Sequence, residues 1–86
     1  MIHMKTITVD GTTLDVDVVV KRYKAAGKPA DVKERHIAVF EDVFGIKNGV
    51  MKSYAEVGRA FGISSVRVRQ LCALVLYKIG LLDLPD

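Results

Sequence analysis

The chain has 86 residues, half of them apolar, and a net charge of +3. That is one small domain, too apolar for disorder, burying roughly 60–65% of its unfolded surface. A single cysteine, Cys72, excludes an internal disulfide and a cysteine-based zinc site and fits a reducing compartment. No apolar run approaches the roughly 20 residues of a membrane span, and no signal-peptide pattern is present, so a cytoplasmic protein is expected. Met1-Ile-His-Met reads as a candidate cloning remnant, and His3 is given no role.

Charge is unevenly placed. Residues 1–42 carry seven basic and seven acidic side chains. Residues 43–82 set Lys47, Lys52, Arg59, Arg67, Arg69 and Lys78 against Glu56 alone. A basic half beside a neutral one points the second half toward a polyanion.

In chain order, Thr6 to Val16 alternates apolar and polar residues around Asp10-Gly11. This predicts a β-hairpin, because a two-residue primed turn needs positive φ at both positions. Val16, Val19, Val20 and Tyr23 recur at helical spacing, with Asp15 or Asp17 placed as cap and Gly27 and Pro29 as terminators. Asp31, with Glu34 three residues on, predicts a capping box opening the next helix. Ile37, Phe40, Val43 and Phe44 are its expected buried stripe, and Gly45 its left-handed stop. Lys47-Asn48-Gly49 reads as a turn.

Ser53, with Glu56, caps a short third helix ending near Phe61; Val57 and Phe61 are its inward residues. Gly58 lets the following helix approach closely, Gly62 permits the reversal, Ile63 plugs the gap and Ser64 caps the last helix. That helix, about Ser65 to Ile79, should bury Val68, Leu71, Cys72, Val75 and Ile79. Val66, Gln70, Ala73 and Tyr77 fall on the outer side, flanked by Arg67, Arg69 and Leu74, and Leu81, Leu82, Leu84 and Pro85 form an apolar tail. The expected fold is mainly α: an N-terminal β-hairpin, then a four-helix arrangement ending in a helix-turn-helix. Residues 1–30 are read as an accessory unit and 31–86 as the helix-turn-helix domain.

Arg35 through Ile79 resembles region 4 of bacterial primary sigma factors, the module that recognises the −35 promoter element. The matching stretches are Phe44-Gly45-Ile46, Ser53-Tyr54-Ala55-Glu56-Val57-Gly58, Phe61-Gly62-Ile63-Ser64 and Ser65-Val66-Arg67-Val68-Arg69-Gln70-Leu71. Ala73, Leu76 and Lys78 also fit; residues 1–30 have no counterpart. The resemblance implies a last helix that enters the DNA major groove, with Arg69 and Gln70 matching family contacts and the glutamine reaching base edges. The family's Arg-Glu pair at the helix start is Ser65-Val66 here, so its ordinary −35 reading is not carried over.

The expected function is a small DNA-binding transcription regulator, bacterial or phage. Its partner is double-stranded DNA, with dimerisation through the hairpin or the tail. Ser64, Ser65, Val66, Arg67, Arg69 and Gln70 are the candidate contacts, and Lys47, Lys52 and Arg59 would touch backbone phosphates. Val66 could meet a thymine methyl. Leu74, Tyr77, Leu81 and Leu82 are candidate protein-interface residues. The alternative is an interaction module that binds RNA polymerase or another regulator through the sigma-like fold. Cys72 is read as a core filler, and His36 lies on a helix surface with no second ligand at metal spacing. Glu41 and Asp42 are adjacent and point to different sides of a helix. No nucleophile stands with a base, so neither catalysis nor a cofactor is expected.

Overall fold

Asp10 and Gly11 both take positive φ, 48° and 80°, which turns β1 (Thr6–Val9) back into β2 (Thr12–Asp15). The computed structural model describes residues 5–83. The strands pair antiparallel with Ile7 opposite Leu14 and Val9 opposite Thr12. Residues two apart share a face of a strand. Ile7, Val9 and Leu14 therefore pack inward, with Val9 fully buried, while Thr8 and Thr13 share a hydroxyl hydrogen bond of 3.2 Å on the outer face.

The hairpin runs directly into α1 (Val16–Ala26). Of the two candidate caps, Asp15 is the one used: its carboxylate accepts from the Asp17 and Val18 amides at 2.8 and 3.3 Å. Val16, Val19 and Tyr23 are buried as the spacing predicts. The Tyr23 hydroxyl donates to buried Glu41 at 2.8 Å, tying α1 to α2 (Glu34–Phe44). Burial, and then the adjacent Glu41 carboxylate, hold the Tyr23 phenol well above its ordinary pKa.

The start of α2 differs from expectation. Asp31 does not cap it; Lys33 is the N-cap residue and supplies no side-chain bond, so Glu34 completes no capping box. The cause is Pro29, whose carbonyl accepts from the Val32 amide at 3.3 Å. This turn sends Val32 into the core and leaves Asp31 exposed, where it pairs with Lys78. The rest of α2 follows its pattern. Ile37, Phe40, Val43 and Phe44 are buried, joined by Val39, and Gly45 closes the helix in the left-handed region.

A turn through residues 45–49 leads to α3 (Tyr54–Phe61) and then α4 (Ser65–Lys78). One apolar cluster holds residues from the hairpin and from all four helices: Val9, Val19, Phe40, Val57, Val68 and Leu76 are each fully buried within it. Residues 5–30 and the helix-turn-helix thus share one core. Among the described residues, no single helix is long and apolar enough to cross a membrane.

Candidate nucleic-acid interface

The crossing of α3 and α4 sets the geometry. Ser53 and Glu56 form a reciprocal capping box, at 3.1 and 3.2 Å, that fixes where α3 begins. The carboxylate of Glu56 is held below its ordinary pKa, chiefly by the Ser53 backbone amide that donates to it. At the far end Gly62 takes φ 71° and ψ 33°, and the Ile63 amide returns to the Gly58 carbonyl at 2.9 Å. The chain bends by 102° between the two helices, within the crossing range of helix-turn-helix pairs. A methyl carbon at Gly58 would sit 2.6 Å from the Ile63 carbonyl oxygen. Ser64 then caps α4 by accepting from the Arg67 amide at 3.1 Å.

The faces of α4 follow from its 100° step per residue. Val68, Leu71, Cys72, Val75 and Leu76 are buried, and Ile79 just beyond them. Burial pushes the Cys72 thiol up to about 12, so it behaves as an apolar filler. The open side begins with Ser64, Ser65, Val66 and Arg67 and continues through Gln70 to Tyr77, all exposed. Val66 is 52% and Tyr77 39% accessible, unusual for apolar side chains in line on one helix.

Three expectations about this helix are corrected. Ala73 is buried rather than outward. Leu74 is half-buried against the core, and so are Leu81 and Leu82, which leaves less of the tail for a partner; Leu84 and Pro85 lie outside the described residues. Arg69 does not project freely. It is half-buried, and its guanidinium pairs with the Asp10 carboxylate at the hairpin tip. Fully buried Val9 and a 3.1 Å hydrogen bond from the Tyr54 hydroxyl to the Thr8 carbonyl anchor that tip. Burial raises the Tyr54 phenol to about 12, so it stays a donor. Asp10 and Arg69 are 59 residues apart, and no local pattern in either segment encodes their meeting.

The other basic candidates divide. Lys52 pairs with Asp42 at 3.0 Å and Lys47 stands 3.8 Å from Glu41, so both are partly neutralised within the fold. Arg59 and Arg67 are exposed and form no ion pair among the described residues. Three basic residues outside the expected set lie at the start of α2: Lys33 as its N-cap residue, and Arg35 and His36 on its first turn. Partial burial, then the charges of Arg67, Lys33 and Arg35 in that order, hold the His36 imidazole below its ordinary pKa. Arg35 also donates to the Phe61 carbonyl at the end of α3, which places it beside the turn. The basic run around His36 was visible in the sequence; its proximity to Arg67 required the packing of α2 on α4.

Among the described residues no group of three His, Cys, Asp or Glu side chains is placed to hold a metal ion. No protein-family model and no curated protein matches this chain.

Proposed function

We propose that the protein binds double-stranded DNA through α4, as a transcription regulator. The observation that carries this reading is the α3–α4 crossing, closed by Gly58 and Gly62, which leaves the polar, acid-free start of α4 open to solvent. A helix presented this way fits the major groove, with its N-terminal residues toward the bases. Ser65 and Arg67 serve as phosphate contacts, Gln70 offers both an amide donor and an acceptor to a base edge, and Val66 faces a thymine methyl. Arg69 joins them only by exchanging Asp10 for a phosphate.

Fluorescence anisotropy on labelled genomic duplexes, between about 50 and 200 mM salt, tests this. The expected result is binding that weakens steeply with salt. Arg67→Ala should lower the slope of log K against log salt by about 0.9, the share of one phosphate contact. Gln70→Ala should instead change which sequences bind best. Absence of binding even at low salt would refute the reading.

One observation favours a second reading, a protein partner such as RNA polymerase. Val66 and Tyr77 are exposed on the same side of α4, and three of the basic candidates are already engaged by carboxylates. Under it, purified polymerase would be retained by the protein and Tyr77→Ser would release it, with DNA making no difference.

A further inference from the structure

Glu41 is the one buried charged side chain among the described residues. A carboxylate taken out of water needs partners for its oxygens. Oε2 has one: the Tyr23 hydroxyl donates to it at 2.8 Å. Oε1 accepts no hydrogen bond among the described residues, and its ion pair is loose, since the Lys47 ammonium stands off at 3.8 Å on a side chain that is 79% exposed. Yet among the described residues no buried side-chain polar atom is left without a partner. Oε1 is therefore not sealed in the core but opens on a cleft of about 300 Å³ between α2, the turn at residues 45–49 and the end of α3. Ala38, Glu41, Asp42, Lys47, Asn48 and Phe61 line it.

Glu41 and Asp42 follow one another on α2, yet both line this cleft, which so carries two carboxylates against one lysine. Lys52, outside the lining, engages one oxygen of Asp42 at 3.0 Å. Phe61 adds an aromatic wall and Ala38 a methyl, both partly exposed. A buried carboxylate oxygen, a second carboxylate and an aromatic wall together suit a planar cation with several N–H donors. A guanidinium meets this better than an ammonium, a strongly hydrated point charge of the kind Lys47 already brings without closing to hydrogen-bond distance. The volume is at the low end for ligand pockets, with room for a guanidinium on a short alkyl chain rather than for a large cofactor. We infer that this cleft binds a guanidinium group, with Glu41 Oε1 and Asp42 as acceptors and Phe61 as the surface on which it stacks. Lys47 is the competitor that the ligand displaces into solvent. No residue of α4 lines the cleft, so the site does not rest on the DNA-binding reading.

The test follows the backbone amide NMR shifts of Ala38, Asn48 and Phe61 in the full chain as ethylguanidinium or ethylammonium chloride is added at constant ionic strength. Ethylguanidinium should give saturating shifts, and ethylammonium should bind more weakly. Glu41→Gln keeps an acceptor for the Tyr23 hydroxyl but removes the charge, and affinity should fall at least about tenfold, the loss of one hydrogen bond to a charged group. Asp42→Asn, at a half-buried position, should also weaken binding and serves if thermal melts show that Glu41→Gln does not fold. Lys47→Gln should tighten binding by up to about fivefold, since an exposed ion pair is worth no more than that. Shifts that do not saturate and are alike for the two cations would overturn the assignment, as would saturation that the carboxylate variants leave unchanged. Competition against ethylguanidinium by free arginine and by a Gly-Arg-Gly peptide then separates a free metabolite from a partner protein's side chain: preference for either supports the site, and failure of both to compete counts against it.

Discussion

Replacing Gly58 by alanine sets two opposite effects against each other, and the structure decides which wins. Alanine is the better helix former, by about 0.8–1 kcal/mol in a helix interior. Gly58 lies inside α3, so propensity alone predicts a more stable protein. The added methyl, however, would meet the Ile63 carbonyl oxygen at 2.6 Å, with the Ser64 carbonyl carbon and Ser65 amide nitrogen at 3.4 Å. Those are backbone atoms of the turn, held by the Ile63-to-Gly58 hydrogen bond and by the Ser64 cap, and no flexible side chain can swing aside. Overpacking of this kind typically costs about 1–3 kcal/mol, and the collision sits at its severe end. The net expectation for Gly58→Ala is a loss of about 1–2 kcal/mol. At about 4–8 °C per kcal/mol for a domain of this size, thermal unfolding followed by circular dichroism would show it clearly. Ala60→Gly, on the exposed side of the same helix, measures the propensity term alone and should cost about 1 kcal/mol. A melting temperature for Gly58→Ala at or above wild type would mean that the helices do not cross this tightly, and the presentation of α4 would lose its basis.

Asp10→Asn should keep the hairpin turn, since asparagine also tolerates the positive φ at this position, while releasing Arg69. Because both side chains are partly exposed, stability should fall by no more than about 1 kcal/mol, and DNA affinity should rise with a salt slope steeper by about 0.9. His36, with a pKa lowered in the folded protein, favours the unfolded chain as acid is added, because the unfolded chain takes up the proton first. Its stabilising contribution is complete above about pH 6.5, the unfolded value, and is lost as pH falls through the folded value, so the melting temperature of wild type should drop more between pH 7 and 5 than that of His36→Gln.

The fold was legible wherever the signal was local. Asp10-Gly11, the Ser53–Glu56 box, Gly45, Gly62 and the Val68-to-Ile79 stripe each encode their structure within a few residues, and each forms as read. Asp31 misled because the turn closed by the Pro29 carbonyl and the Val32 amide holds Asp31 within it, so the helix begins two residues later, after Lys33. The state of Arg69 was not legible, because it depends on a hairpin more than 50 residues away in sequence docking on one flank of α4. Periodicity ranks the faces of a helix but does not say which flanks another element will cover.

That covering is asymmetric, and the asymmetry bears on how a polyanion would approach. On one side of α4 stands the hairpin tip, whose Asp10 both occupies Arg69 and places a carboxylate beside the exposed strip of the helix. On the other side stands Arg67, exposed and in no ion pair among the described residues. Between the two flanks run Ser65, Val66 and Gln70, which carry no charge. The two arginines of this helix therefore differ: Arg67 is free of ion pairs among the described residues, and Arg69 is held by Asp10. On the proposed DNA-binding reading, a duplex would meet Arg67 first, and Arg69 would engage only once a phosphate is near enough to compete with Asp10. If the protein binds DNA as proposed, contact at Arg69 would then follow contact at Arg67. In a double-mutant cycle on DNA affinity, Arg67→Ala should shrink the gain of Asp10→Asn; independent, additive effects would show that the two flanks act separately.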